Sequence, residues 1–275
     1  MSRVFQVGAG SGGVVVLDHL ARDRGVDRVT LVEFDTYKPH NVYRHLFPAS
    51  AVGRLKADLA AEWVRGFRTD IEVETVAADA TDPARQGELA DLAAACDVGV
   101  CAVDNEPAKY AFDALMRGAG KPWTLGEVLS GGIGGWVHRF VPGGPCYGCV
   151  ASYLQRSVAE EPAAPPPDYS NPGGPIAETT VPANKASIGV IASLHAVATL
   201  EVLATARDTE RSPSEPPHTS VLMSLARVPG VFDEAFRSYR FRVPRAPGCL
   251  VCGSASVPPG DLDVALGEAL DRLGS

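Results

Sequence analysis

The plainest chemistry in this 275-residue chain lies in two cysteine pairs, Cys146-Tyr147-Gly148-Cys149 and Cys249-Leu250-Val251-Cys252, each preceded by Pro and Gly that favour a tight knuckle. One CxxC pair brings two thiolates to a single turn. Two pairs supply the four soft ligands of a closed tetrahedral Zn²⁺ site. Such a site has no open coordination position, so its expected work is to tie the C-terminal segment to the rest of the chain, converting binding energy into folding energy. A redox dithiol is the alternative, although it needs only one pair. The remaining thiols, Cys96 and Cys101, read as small buried apolar residues, with a nucleophilic Cys101 the less favoured reading.

A second constellation begins with Gly8, Gly10 and Gly13 in Gly8-Ala9-Gly10-Ser11-Gly12-Gly13, between a strand-like run and a helix-like one. Glycines there let a phosphate approach backbone N–H groups at a helix N-terminus. The pattern fits NAD, FAD and ATP alike, and a plain tight turn is the bland alternative. About 20 residues further on, where an acidic side chain meets ribose hydroxyls, stands Val32-Glu33-Phe34-Asp35. Glu33 is the first choice for that role, with Asp35 beside it. Asn41, Arg44, Lys56, Asp104 and Asn105 then place an amide, two cations and a carboxylate at the carboxyl ends of the predicted strands. That set suits a triphosphate with its metal: Arg44 and Lys56 neutralise β- and γ-oxygens, Asn41 bonds a phosphate, and Asp104 holds Mg²⁺. Attack of a carboxylate on the α-phosphorus joins two anions, so Arg44, Lys56 and Asp104 are the residues assigned to catalysis. Taken singly, each has a bland reading, as a solvated charge or, for Asp104-Asn105, as the N-cap of the next helix.

The elements that must position these groups follow from periodicity. Short β-branched runs at Arg3–Val7, Arg28–Val32, Ile71–Ala77, Val98–Val103 and Trp123–Glu127 alternate with helical stretches near Gly13–Arg24, Ala51–Phe67, Gly87–Ala95 and Glu106–Ala119. This is the pattern of βαβ units feeding a parallel sheet. A strand is predicted over Gly131–Val141, and further strands near His218–Arg227 and Tyr239–Val243. The fold class is therefore α/β, a Rossmann-like doubly wound, mostly parallel sheet with a C-terminal β-strand extension tied by the four cysteines. Residues 1–145 form the nucleotide-binding region, and 146–275 a zinc-tethered region integrated with it. Within the latter, Val158–Ala183 is rich in Pro, Ala, Glu and Gly, including Pro165-Pro166-Pro167, and reads as a crossover loop, with an inert linker as the alternative. Ile188–Ala206 is largely apolar but carries His195 and Glu201, which favours a core helix over a membrane span.

Composition narrows the partners. A net charge of −8 disfavours general binding to nucleic acid or to anionic membrane. A strand-like segment follows Met1 at once, without a charged region and apolar stretch before it, and a cytoplasmic location is expected.

Together these residues resemble the ThiF/MoeB/HesA adenylyltransferases, relatives of the ubiquitin-activating enzymes. The resemblance runs over nearly the whole chain: the glycine loop at 8–13, Glu33-Phe34-Asp35, Asn41 with Arg44, Gly53 with Lys56, Asp104-Asn105, both CxxC pairs, and Gly189-Val190-Ile191-Ala192-Ser193-Leu194. It implies adenylation, with Mg·ATP, of the C-terminal carboxylate of a ubiquitin-like protein, sulfur carrier or peptide. It further implies Glu33 on the ribose, Asn41, Arg44 and Lys56 on the phosphates, Asp104 on magnesium, a crossover loop over the substrate tail, and a homodimer or a heterodimer with a related subunit. Two departures stand out. There is no cysteine between Cys149 and Cys249, which implies adenylation without a thioester on this chain. The glycine loop also begins seven residues from Met1, where homodimeric relatives carry a helix whose arginine reaches the partner's ATP; Arg3, inside the first strand, is a poor substitute. A non-catalytic scaffold binding a ubiquitin-like partner, or an NAD(P)-dependent oxidoreductase, are the rival readings.

Overall fold

Parallel strands covered by helices on both faces are apolar on both sides, and β1 (Ser2–Val7) shows this. Val4 packs into one core, and Phe5 and Val7 into another across the sheet. The computed structural model describes residues 2–154, 182–207 and 217–253. Within them the chain runs through α1 (Gly13–Arg22), β2 (Val26–Val32), α2 (Lys56–Phe67), β3 (Glu72–Val76), α3 (Gln86–Ala95), β4 (Val98–Cys101), α4 (Glu106–Gly118) and β5 (Trp123–Val128). It continues through β6 (Gly134–Phe140), α5 (Tyr147–Tyr153), α6 (Lys185–Arg207), β7 (Ser220–Ser224) and β8 (Ser238–Phe241).

These strands form one eight-stranded sheet in the order β3-β2-β1-β4-β5-β6-β7-β8. The first five strands pair in parallel and the last three antiparallel. The chain leaves β1 toward β2 on one side and returns to β4 on the other, so a crevice opens between the carboxyl ends of β1 and β4, where α/β sheets bind ligands. Apolar residues of α1, α2 and α6 cover one face, and those of α3, α4 and α5 the other. Among the described residues the two outer strands differ in sign: Glu72 and Glu74 are exposed on β3, and Arg240 is exposed on β8.

Most strand boundaries shift by a few residues from the sequence expectation, β6 starting at Gly134 rather than Gly131 and β7 spanning Ser220–Ser224 rather than His218–Arg227, and other departures have a clear cause. Helix α2 starts at Lys56 rather than Ala51, because a 3₁₀ turn at Ala49–Ala51 is followed by Gly53 at φ 93°, a left-handed geometry that ends any helix. β4 ends at Cys101 rather than Val103. Helix α5 was not expected at all; Cys146 occupies its N-cap position, so the first knuckle opens directly into a helix. Helix α6 matches the apolar 188–206 run and is long and apolar enough to cross a membrane, but it packs on the sheet and buries Ile188, Ile191, Ala192, His195, Ala196 and Leu203 there. Most of the proposed crossover loop, residues 158–181, lies outside the described residues, as do 254–275 of the C-terminal region.

Candidate active site and metal centre

The glycine loop is built by contacts the chain makes with itself. Gly8 sits at φ 97°, and a Cβ there would lie 2.5 Å from the carbonyl oxygen of Ala102. A Cβ on Gly13 would lie 2.4 Å from the carbonyl oxygen of Gly8. Those two glycines let strand, loop and helix close up. Gly10, in contrast, has open space where a side chain would stand, on the side of the cavity.

Three side chains hold the loop in place. Gln6, wholly buried, donates its amide to Gly8 O at 2.9 Å and to Gly13 O at 2.8 Å. Glu33 accepts from the backbone N–H groups of Ala9 and Asp35, each at 2.8 Å. His45 bonds through Nε2 to Ala9 O at 2.9 Å. Burial, aided by the charges of Lys56, Lys185 and Arg44 and opposed by the bond to Ala9, pushes the His45 imidazole down to about 4. It is therefore neutral, and Nε2 carries the proton it donates.

The loop faces a cavity of about 800 Å³ at the crevice. Every nucleotide-site residue named from the sequence lines it: Gly8, Gly10, Gly13, Glu33, Asp35, Asn41, Arg44, Lys56, Asp104 and Asn105. Lys56 is the first residue of α2, where a cation opposes the helix dipole. Asp35 offsets that cost with an ion pair at 2.8 Å, leaving two ammonium protons for an anion. Asn41 accepts from Lys38 N–H at 2.8 Å, so its NH₂ is the end left to donate to a phosphate. Asn105 is the N-cap of α4, bonded to Ala108 N at 2.9 Å, and its oxygen is committed to the helix. Asp104, just before it, is exposed at the cavity and supplies the hard oxygen that Mg²⁺ requires.

Sequence reading missed Gln6 and His45, and also Lys109 and Glu127, which line the cavity toward β5. Lys109 Nζ lies 2.7 Å from both Glu106 Oε1 and Glu127 Oε1. Burial works against its charge, but Glu127 and Glu106 outweigh that and hold the ammonium above its usual value. In the sequence, Lys109 stands inside a predicted helix and Glu127 at the end of a predicted strand, with no spacing that links them. Cys96 and Cys101 are buried, and burial pushes both thiols up to about 12, so neither is a nucleophile near neutral pH.

The four knuckle cysteines come together. Their sulfurs lie within 4.8 Å of one another, with separations of 3.7 Å (Cys146–Cys149), 3.6 Å (Cys146–Cys249) and 3.5 Å (Cys149–Cys252). Zn–S bonds of about 2.3 Å in a tetrahedron require sulfurs about 3.8 Å apart. None is in a disulfide, and the backbone N–H groups of Ala246 and Val251 point at Cys149 and Cys249 sulfur, each at 3.4 Å. The donor set fits a structural zinc ion. Among the described residues it is the sole cluster of three or more such ligands, so Mg²⁺ has no cage of its own and would depend on Asp104 and the phosphates it accompanies.

A doubly wound sheet with a glycine loop and a cation-lined cavity at its crevice defines a nucleotide-binding α/β protein. The sequence narrows this further. The ThiF family matches residues 1–229, and the chain belongs to that family. It is 34% identical over 150 residues to the SAMP-activating enzyme E1 of Haloferax volcanii, which covers 54% of this chain and 53% of that protein. It is 29% identical over 258 residues to the molybdopterin-synthase adenylyltransferase of Escherichia coli, covering 92% of this chain and 87% of that one. In fold it is similar to Escherichia coli MccB solved with ATP, at TM-score 0.62 and 19% identity, covering 92% of this chain and 67% of the other.

Proposed function

We propose that the chain uses Mg·ATP to convert the C-terminal carboxylate of a ubiquitin-like protein, sulfur carrier or peptide into its acyl-adenylate, releasing pyrophosphate. The observation that carries this is the single cavity that collects Asn41, Arg44, Lys56 and Asp104 against the glycine loop. A carboxylate oxygen of the substrate attacks the α-phosphorus, the bond from that phosphorus to the α,β-bridging oxygen breaks, and its electrons leave with pyrophosphate. Arg44 and Lys56 neutralise the phosphate oxygens, the N-termini of α1 and α2 add partial positive charge, and Asn41 orients the chain of phosphates. Asp104 would hold Mg²⁺, which supplies further neutralisation of the leaving group.

The substrate class is supported by the names of the relatives and by a surface. Trp136, Leu222 and Tyr239 are register partners on neighbouring strands, and His138, Ser220 and Phe241 continue the same face. Trp136 stacks on His138 and packs on Phe241, at ring distances of 5.5 and 5.3 Å. Helix α6 packs on the other face, against Val137. The half-buried Trp136, Leu222, Tyr239 and Phe241 suit contact with a folded partner whose tail reaches the cavity, while His138 and Ser220 on the same face are wholly buried. Pro182 and Ala183 stand on the cavity wall, where such a tail would pass. A second copy or a related subunit as companion, zinc in the four-cysteine site, and a cytoplasmic setting that keeps thiols reduced complete the reading.

Thermal-shift measurements test it. Mg·ATP at 100 times its dissociation constant should stabilise the chain by about 2.7 kcal/mol, with NAD and NADP giving nothing. Asp104→Ala should remove the magnesium dependence while the far-UV spectrum is unchanged. Stabilisation by NAD or NADP alone would overturn the proposal.

A further inference from the structure

The buried charges that phosphate chemistry leaves unused form one chain from the metal centre to the cavity. Tyr147 stands between two of the cysteines and is wholly buried. Its hydroxyl donates to Glu106 Oε2 at 2.7 Å. The other oxygen of Glu106 accepts from Lys109, and Lys109 donates also to Glu127, both at 2.7 Å. Glu127 Oε2 lies 3.1 Å from His138 Nε2, and His138 Nδ1 lies 2.8 Å from Ser220 Oγ on β7. The knuckle grips α4 a second time, because the backbone N–H of Tyr147 donates to Asp113 Oδ1 at 3.0 Å. Asp113 is wholly buried and also pairs with Arg117 at 2.9 Å.

Helix α4 is thus held by the knuckle at Glu106 and Asp113, and its N-terminus carries Asp104 and Asn105 into the cavity, with Lys109 beside them. Asp113 is costly to leave without a donor because it is wholly buried, while Glu106, partly exposed, is fixed in place by its bonds to Tyr147 and Lys109, so the knuckle sets where the first turns of α4 lie. When the knuckle loosens, Glu106 and Asp113 each lose one donor, Asp113 keeping only Arg117, and α4 is free to shift against the knuckle.

We infer that occupancy of the four-thiolate site and nucleotide binding are coupled through Tyr147, which positions α4 and, with it, Asp104 and the Lys109–Glu127 wall. This rests on the nucleotide reading of the cavity. Tyr147 is a positioning residue and touches no substrate. Coupling of two binding equilibria is reciprocal, so zinc tightens Mg·ATP by the same factor that Mg·ATP tightens zinc.

The test uses the whole zinc-loaded chain. Calorimetry first gives the Mg·ATP dissociation constant for the zinc-loaded and the chelator-stripped protein. Competition with a chromogenic chelator then gives zinc affinity with and without saturating Mg·ATP. Both ratios should be about five-fold or more and equal to one another. Tyr147→Phe, which removes one oxygen, and Glu106→Gln, which lies off the cavity, should still bind one zinc and Mg·ATP, with both ratios collapsing toward one. If Tyr147 serves only stability, Tyr147→Phe lowers zinc affinity equally with and without nucleotide and the ratio survives, which overturns the inference. Ratios of one in the unmodified chain overturn it as well. An absence of Mg·ATP binding to the zinc-loaded protein overturns the nucleotide reading itself and the coupling with it, a result distinct from binding without coupling.

Discussion

A neutral imidazole buried against the glycine loop makes stability depend on pH. His45 and His195 are both buried, and burial pushes each down to about 4, from an ordinary value of 6.5. The sign follows from which state takes up the proton. Between pH 6.5 and 4 the unfolded chain protonates these rings and the folded chain does not, so their stabilising contribution is complete above about pH 6.5 and is lost as pH falls. Two such groups give a slope of up to about 2.7 kcal/mol per pH unit in that window. Urea unfolding at pH 7 and pH 5 measures it. The double variant His45→Gln, His195→Gln should flatten the slope; an unchanged slope would assign it to other groups. His195 also shows why a residue's place can be read from sequence and its contacts cannot. Its helix was expected to be a core element, but its bond at 2.9 Å to Thr124, which in turn reaches Thr199 at 2.7 Å, joins strand and helix 71 residues apart.

At the scale of elements, the glycine loop separates packing from binding. Gly13→Ala should cost about 3 kcal/mol, because the new carbon meets backbone that cannot yield. Gly10→Ala should leave stability within about 0.5 kcal/mol and still weaken Mg·ATP by about tenfold, since its open side faces the cavity. Chemical denaturation and calorimetry on the two variants check this; equal stability losses would mean the loop is packing throughout. The five parallel strands and the helices between them were legible because each carries a full period of apolar residues. Helix α5 was not, because seven residues give barely two turns and three of them belong to the first cysteine knuckle. Gln6 was hidden because alternation marks a strand without saying that a polar side chain in it will bond to loop carbonyls. Lys109 and Glu127 were hidden because they stand on different elements, α4 and β5, and only the sheet brings them together.

On the scale of the whole molecule, the family match ends at residue 229, while the second cysteine pair lies beyond it. That pair was nonetheless legible, because thiolate spacing is a chemical signature independent of fold. It holds the segment after β8 against the first knuckle, next to the wholly buried Val243. Stripping the metal should lower the melting temperature by about 10 °C, equivalent to about 3–5 kcal/mol at about 2–4 °C per kcal/mol. Calorimetric scans with and without chelator check it, and an unchanged midpoint would mean that packing alone retains the segment.

The two borders of the sheet have a consequence for how copies of this molecule meet. A border strand offers unpaired N–H and C=O groups to any extended chain, including the same border of a second copy. Glu72 and Glu74 make one border acidic, and Arg240 makes the other basic. Like borders brought together repel, so two copies do not pair through the same edge, whereas the acidic border of one copy and the basic border of another attract.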